Sequence, residues 1–522
     1  MERFIEKHAA AVIGTLSGFD RLVFRGTLRP LAYEGGMKAY LWAAKVLLKD
    51  FGDHALRLSK RLIAASEETA ARASRPFRYL ASSGTSKEEM ARKIAMEDGI
   101  KDGLVCVLRA VEPCMSYAVV GNREAKKIEL KAEKRKCLHL YHYSIHPTFG
   151  FMNARIQTWF PFSIQICING REWLARQMTE AGLGFEQRDN CFAWLEDPVR
   201  AQDFMNQQLR AAWPELLQHI ARTLNPHHET MFETFPVDYY WSAFQSEWAT
   251  DILFRDAATL GQLYPSLVHH GLTTFFSPDI LRFLGRHVPP SGNVPSSLKA
   301  EVTTDLKTRT EGVRIKHRLG ANSIKMYDKQ GSVLRVETTI NDAAGFKSFR
   351  SPEGKPEVEK TWMPMRRGIA DLHRRAEVSQ AANDRYLDAM ASVENTTPLG
   401  KLVERLGRPS ILNGRRFRAI NPHAPEDAKL IEAISRGEFT IAGFRNRDLR
   451  ALLFADAADS KEEQRRHAAA VSRKLALLRA HGVIRKVHGT HRYHLTKEGR
   501  TMVTALITVR TTSTDSLTKL AA

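Results

Sequence analysis

The chain has 522 residues, a formal net charge of +20 and a pI of about 9.8. Hydrophobic residues make up 43% of it, but no run approaches the roughly 18 apolar residues of a membrane span, and the N-terminus MERFIEKHAAAVIG does not resemble a secretion signal. We therefore expect a cytoplasmic protein without a membrane partner. The positive charge favours a polyanion, with DNA as the first choice and RNA as the alternative.

The first half of the chain alternates helical and extended patterns. We expect residues 1–75 to form a mixed helical region and residues 76–287 an antiparallel sheet with helices, because short runs rich in Val, Ile, Phe and Tyr recur between turn signals. The expected helices cover 2–13, 35–48, 52–74, 171–182, 197–222 and 239–285, with an extended segment at 20–28. The stretch VPPSGNVPSS, residues 288–297, is the predicted linker.

The next predicted domain, residues 298–400, combines a three-stranded meander over about 312–340 with a basic helix over 365–393. An alternating pattern of apolar and polar residues indicates the strands of the meander, and helical periodicity indicates the helix.

The segment NSIKMYDKQGSVLRVETTIND is the part of this meander that carries candidate chemistry. Its alternation places Lys325, Tyr327, Arg335 and Glu337 on one face and apolar residues on the other. Together with Lys316 in the preceding strand, Lys325 and Arg335 are candidate nucleic-acid contacts. A solvated sheet face held by salt bridges is the alternative interpretation.

The last structured part of the chain, residues 426–508, shows the order helix, strand, helix, helix, hairpin, helix. This order and the phrase LLRAHGVIRKVHGTHRYHLTKEGR resemble the winged helix-turn-helix family, which implies a DNA-binding domain. The resemblance covers about the last sixth of the chain. The tail, 509–522, is expected to be disordered.

Within this C-terminal region the third helix is amphipathic. A stripe of Ala468, Val471, Leu475 and Leu478 is expected to be buried. The basic residues left for other faces and for the wing are the candidate nucleic-acid contacts: Arg465, Arg466, Arg473, Lys474, Arg485, Lys486 and Arg492. A winged helix used for protein contacts is the alternative.

The meander also resembles a segment of rolling-circle replication initiators and relaxases, through K-x-Y-D-K followed by L-R-V-E. In those families a carboxylate or histidine holds a divalent metal and a tyrosine attacks DNA. The resemblance implies Glu337 as a metal ligand and Tyr327 as a nucleophile. Such a nucleophile often lies on a helix, where Tyr386 is the other candidate, and the paired metal-binding histidines of many such enzymes are missing.

A set of four acids provides a second candidate centre. If YYWSAFQSEWATDILFRD is helical, Glu247 and Asp251 are i, i+4 neighbours that can share a cation. With Asp20 and Glu337 they could hold Mg²⁺ or Mn²⁺ for phosphodiester hydrolysis. The order Asp, Glu, Asp resembles that of ribonuclease-H-like nucleases and transposases, and surface salt bridges are the alternative.

Other chemistries have no motif in this sequence. The five cysteines form no CxxC pair, which favours buried free thiols over structural zinc. Walker, GxGxxG, HExxH and GxSxG motifs are missing, so no nucleotide or organic cofactor is indicated. Over its full length the chain is similar to a group of bacterial proteins, a similarity that implies no activity.

The sequence therefore predicts an α+β protein with a large mixed α/antiparallel-β body followed by a C-terminal winged helix domain. We expect a DNA-binding protein of a mobile or replicating element, with metal-dependent strand cleavage as the candidate activity. A regulator or architectural protein that only binds DNA, and an RNA-binding protein, are the alternatives.

Overall fold

The computed structural model confirms the α+β class and divides the chain into two compact units, residues 1–264 with 277–388 and residues 265–276 with 389–522. It describes all residues except 82–83, 123, 125, 287–301, 310–311, 353, 355–356, 393–398, 436–438, 440–442, 455–459, 488 and 512–522. The predicted linker at 288–297 and most of the predicted tail lie outside the described residues. Among the described helices, none has the length and apolar character needed to cross a lipid bilayer.

The first unit is built on one sheet of eleven strands, whose spatial order is β10-β11-β12-β13-β9-β1-β6-β5-β4-β3-β2. Its strands are β1 (Val12–Leu28), β2 (Phe77–Tyr79), β3 (Gly103–Asn122), β4 (Lys127–His146), β5 (Gly150–Gln157), β6 (Ile164–Asn169), β9 (Tyr239–Phe254), β10 (Val302–Arg309), β11 (Gly312–Leu319), β12 (Asn322–Lys329) and β13 (Val333–Ile340). Two small hairpins accompany it, β7 (Phe185–Arg188) with β8 (Cys191–Leu195) and β14 (Lys347–Arg350) with β15 (Thr361–Pro364).

Helices connect and cover these strands. They are α1 (Glu2–Lys7), α2 (Glu34–Ala43), α3 (Phe51–Arg72), α4 (Lys87–Glu97), α5 (Gly170–Glu180), α6 (Pro198–Gln207), α7 (Trp213–Leu224), α8 (His228–Met231), α10 (Ser277–Phe283) and α11 (Leu372–Met390). Helix α9 (Ala257–Thr273) begins in the first unit, and its residues from 265 on belong to the second. The helix expected at 2–13 ends at Lys7, because β1 already begins at Val12. The helix expected at 197–222 is divided into α6 and α7.

The single sheet joins the three segments that the sequence suggested as separate domains. Strand β1 comes from 1–75, strands β2 to β6 and β9 from 76–287, and β10 to β13 from 298–400. Strand β9 pairs with β1 on one side and with β13 on the other. Because the three segments share one sheet, the boundaries expected between them do not separate compact bodies. Pairings over such long chain separations leave no local pattern in the sequence.

The helix predicted over 239–285 is wrong in its first part, because residues 239–254 form strand β9, whereas 257–273 and 277–283 are helical. The alternating burial of Tyr239, Trp241 and Ala243 shows the period of two that defines a strand. Aromatic and β-branched residues favour extended structure in this segment, and pairing on both edges holds it there.

The predicted meander is confirmed, and β10 extends it to four strands. Lys325 lies directly opposite Glu337, and Tyr327 opposite Arg335, so these four side chains share a face as expected. The other face packs against α11: Asn383 accepts a hydrogen bond from Thr338 Oγ1 at 2.7 Å and donates one to the Trp248 carbonyl at 3.2 Å. Helix α11 therefore covers the face opposite to Glu337.

The second unit contains the elements expected of the C-terminal domain over its described residues. They are α12 (Leu399–Leu406), β16 (Ser410–Leu412), β17 (Arg415–Phe417), α13 (Pro425–Ile434), α14 (Asn446–Leu453), α15 (Lys461–Ala480), β18 (Ile484–Lys486), β19 (Tyr493–Leu495) and α16 (Lys497–Thr511). Most of the strand expected at 438–443 lies outside the described residues, but the adjacent Phe444 bridges Tyr493 of the hairpin. In α15 the predicted stripe is buried at Val471, Leu475 and Leu478, while Ala468 is half-buried.

Candidate functional site

Three strands bring Asp20, Glu247 and Glu337 together on one face of the sheet. Glu247 lies on β9, opposite Arg21 of β1, and Glu337 lies on the neighbouring β13. The β1–β9 register shifts between Phe19 and Arg21, so Asp20 occupies a β-bulge. A bulge changes the alternation of side chains, and here both Asp20 and Arg21 line the same cleft.

One oxygen from each of these three carboxylates lies within 4.8 Å of the other two. We call Asp20, Glu247 and Glu337 the acid triad. Asp20 and Glu337 are 4% and 3% exposed, and the buried Asp20 Oδ1 accepts no hydrogen bond. Asp20 and Glu247 line a polar cleft of about 310 Å³. A buried carboxylate oxygen without a donor at a cleft wall is suited to a cation.

Two cations already contact the triad. Lys325 Nζ lies 2.5 Å from Glu337 Oε1 and 3.5 Å from Glu247 Oε1. Arg335 Nη1 lies 3.3 Å from Asp20 Oδ1, a charge contact without hydrogen-bond alignment. Glu337 therefore lies close to both other acids and also contacts a lysine. Its surroundings are compatible with a metal-binding acid and with a salt bridge.

Asp251 belongs to a separate ion-pair network. Arg335 donates to both of its oxygens, at 2.6 and 2.8 Å, and Arg171 Nη2 lies 3.1 Å away. The predicted cation site shared by Glu247 and Asp251 is wrong: four residues along a strand span about 13 Å, whereas four along a helix span about 6 Å. Asp251 is committed to arginines that are themselves fully buried.

The pKa values of these acids diverge according to their partners. Burial and the neighbouring Glu337 raise the pKa of Glu247 to about 7. Burial also raises the pKa of Asp20, despite Arg335. Burial opposes the ionisation of Glu337 and Asp251 too, but nearby cations outweigh it and lower both pKa values, chiefly Lys325 for Glu337 and Arg335 for Asp251. The triad thus includes two acids whose negative charge is poorly compensated, a property that is common at functional sites.

The two candidate tyrosines lie on different faces. Tyr327 shares the face of Glu337 but is 7% exposed, and burial raises its pKa to about 12. Tyr386 is fully buried in α11, where its hydroxyl lies 3.1 Å from His317 Nε2. Since α11 covers the opposite face of the sheet, the structure does not bring Tyr386 to the acid triad.

The predicted nucleic-acid contacts of the meander differ from the expectation. Lys325 and Arg335 are 7% and 0% exposed and are held by carboxylates, so they are not part of an open basic surface. Lys316 is half-buried, opposite Lys325, and burial lowers its pKa to about 8. Period-two alternation identified the shared face correctly but could not show that helices and loops from elsewhere cover it.

In the second unit most of the predicted contacts are exposed. Arg465, Arg466 and Arg473 lie on the surface of α15, and Arg485 and Lys486 on the first strand of the hairpin. Lys474 and Arg492 are half-buried, and Lys474 Nζ lies 3.3 Å from Glu426. Over residues 461–495 the sequence carries nine Lys or Arg and two acids, so this part of the surface is suited to phosphate.

Three residues beside the site, Arg171, Asn190 and Lys329, are not among the site residues predicted from the sequence. Arg171 enters it because Gly170 brings α5 against β1, where a Cβ would lie 2.0 Å from the Phe19 carbonyl oxygen. Asn190 donates to Asp20 Oδ2 at 2.8 Å and accepts from Lys329 at 2.5 Å. The Asn-Gly pair at 169–170 marked a turn in the sequence, but nothing local indicated which strand the turn approaches.

Comparisons with known proteins give no relative. No family model matches the chain, and no curated protein and no solved structure is significantly similar to it.

Proposed function

We propose that this protein binds DNA and cleaves a phosphodiester bond with the help of a divalent metal held by Asp20, Glu247 and Glu337. The observation that carries the proposal is the approach of the three carboxylates to within 4.8 Å, with the buried Asp20 Oδ1 left without a hydrogen-bond donor. Carboxylates without nitrogen or sulfur ligands favour hard cations, of which Mg²⁺ and Mn²⁺ fit a phosphate substrate.

A bound Mg²⁺ or Mn²⁺ would supply Lewis-acid stabilisation of the phosphoryl oxygens and an acidified water. The protein would contribute the three carboxylates that hold the cation and the polar cleft that Asp20 and Glu247 line. Tyr327 is 7% exposed and burial raises its pKa to about 12, so we favour hydrolysis by water over attack by this tyrosine. The proposal therefore keeps metal-dependent cleavage and moves the emphasis away from a tyrosine nucleophile.

The C-terminal unit supplies the proposed DNA contacts. The exposure of the arginines on α15 and of the basic hairpin supports this proposal, in which the helix would enter the major groove and the wing would contact the backbone. A chain that combines DNA binding with strand cleavage is suited to replication or movement of a genetic element.

The test compares the wild type with Glu337→Gln on supercoiled plasmid and on single-stranded DNA, with Mg²⁺ or Mn²⁺. We expect the wild type to nick or cut and Glu337→Gln to bind DNA without cutting it. Glu67→Gln, an exposed glutamate on α3, is the matched control and should retain cleavage. Intact DNA after incubation with folded, DNA-binding wild type would end the proposal of an activity.

DNA binding without cleavage is the second candidate function. The observation that favours it is the 2.5 Å contact between Lys325 and Glu337, which is also what a stabilising buried salt bridge requires. In that case Glu337→Gln should change stability but leave DNA affinity unaltered. Competition between duplex DNA and RNA then separates a DNA-binding regulator from an RNA-binding protein.

A further inference from the structure

Lys325 occupies the position that a metal ion would need in the acid triad. Its ammonium contacts Glu337 at 2.5 Å and Glu247 at 3.5 Å, and these are two of the three proposed metal ligands. The side chain is 9% exposed, so water can compensate little of its charge. A divalent ion and the Lys325 ammonium therefore compete for the same oxygens.

Of the two cations beside the triad, Lys325 is the one that can leave. The Arg335 guanidinium is fixed by two hydrogen bonds to Asp251 and one, at 2.7 Å, to the Asn190 carbonyl. Lys325 stands on a flexible four-carbon stem, and the carboxylates that it contacts are members of the triad itself.

We propose that the metal site is gated by substrate: a DNA phosphate accepts the Lys325 ammonium as the divalent ion takes its place between Glu247 and Glu337. This inference rests on the proposed function. Without a phosphate, metal binding would leave the buried Lys325 ammonium next to the metal ion and without a carboxylate partner, which is energetically costly. With a phosphate, the ammonium exchanges one anionic partner for another.

Metal and DNA must then strengthen each other's binding. Coupling between two ligands is reciprocal, so an oligonucleotide raises the affinity for metal by the same factor by which metal raises the affinity for the oligonucleotide. The protein would hold little metal in the absence of DNA, and its cleavage centre would be completed by the substrate.

The experiment measures Mn²⁺ binding by the full-length protein with electron paramagnetic resonance, which detects the free ion. Titrations are made without DNA, with oligothymidylate, and with a methylphosphonate oligothymidylate whose backbone is uncharged, after subtracting Mn²⁺ bound by each oligonucleotide alone. We expect the charged oligonucleotide to tighten Mn²⁺ binding by roughly tenfold, as is typical of such coupling, and the uncharged one to have no effect.

Lys325→Met provides the second arm. It should bind Mn²⁺ about as tightly without DNA as the wild type does with DNA, and the effect of the oligonucleotide should disappear. Lys307→Met, an exposed lysine on β10, is the matched loss of charge and should behave as the wild type. If Lys325→Met does not fold, Lys325→Gln takes its place, because charge-dependent coupling in the wild type alone would also arise from a phosphate oxygen that binds Mn²⁺ directly.

The outcomes separate the inference from the function on which it rests. If the protein cleaves DNA but binds Mn²⁺ equally well with the charged and the uncharged oligonucleotide, the gating is overturned and the cleavage function stands. An undiminished coupling in Lys325→Met has the same meaning. No Mn²⁺ binding under any condition would remove the metal-dependent function and the gating with it.

Discussion

Asp251 and Asp20 both face Arg335, yet their replacement by asparagine should have opposite consequences. Asp251→Asn removes a carboxylate that accepts two hydrogen bonds from Arg335 and contacts Arg171. All three side chains are almost completely buried. Two buried guanidiniums then lose their main counter-charge. Breaking a buried pair from one side typically costs about 3–5 kcal/mol, and we expect a loss of unfolding free energy of that size.

Asp20→Asn should instead change the unfolding free energy by less than about 1 kcal/mol, or raise it. The pKa of Asp20 is raised in the folded state, so its ionised form opposes folding at neutral pH, and a neutral amide removes that cost. The Asn190 side-chain amide can still donate to the amide oxygen at this position.

Urea unfolding followed by tryptophan fluorescence measures this difference in the relevant unit. All eight tryptophans lie between residues 42 and 362 and belong to the first unit, so the signal does not report the second. Equal losses for the two variants, or a larger loss for Asp20→Asn, would refute the division into a structural carboxylate and a poorly compensated one.

Three further outcomes follow from the same structure. Burial lowers the pKa of His142 to about 4 from the usual 6.5, so as pH falls the unfolded chain binds this proton first. His142 alone should therefore cost the first unit about 3 kcal/mol of unfolding free energy between about pH 6.5 and about pH 4. Urea unfolding should show a smaller loss in acid for His142→Gln than for the wild type, and equal losses would contradict this. Replacing Arg485 and Lys486 by alanine should weaken DNA binding for all sequences and reduce the slope of log affinity against log salt by about 2, which filter binding at several salt concentrations can measure; an unchanged slope would exclude the hairpin from the interface. Tyr327→Phe should keep DNA cleavage, whereas isolation of DNA joined covalently to wild type but not to this variant would restore Tyr327 as the nucleophile.

The sequence predicted the parts of the site that depend on local periodicity. The shared face of Lys325 and Glu337 follows from alternation in two strands joined by a short turn, and the structure confirms it. Glu247 was identified as a candidate ligand on the assumption of a helix, and the structure places it on a strand. Its approach to Glu337 depends on the β9–β13 pairing, which local patterns could not reveal.

Other features of the site depend on contacts between distant parts of the chain. The bulge at Asp20 arises from the register of β1 against β9, and the burial of Arg171 arises from the docking of α5. A charge count predicted a basic surface at Lys325 and Arg335 because composition does not distinguish an arginine that meets solvent from one that meets Asp251. Burial of charge is a tertiary property, and single-sequence patterns do not contain it.

The chain positions of the acid triad have a consequence for synthesis. Residues 20, 247 and 337 are brought together by the pairing of β1, β9 and β13. A nascent chain whose synthesis has not yet reached residue 340 therefore cannot assemble the triad. Pairings across more than two hundred residues also form late, because the entropy of closing such long loops opposes them. A nascent fragment that ends before residue 340 would therefore carry no complete triad, and the proposed cutting activity would begin only once most of the protein had been made.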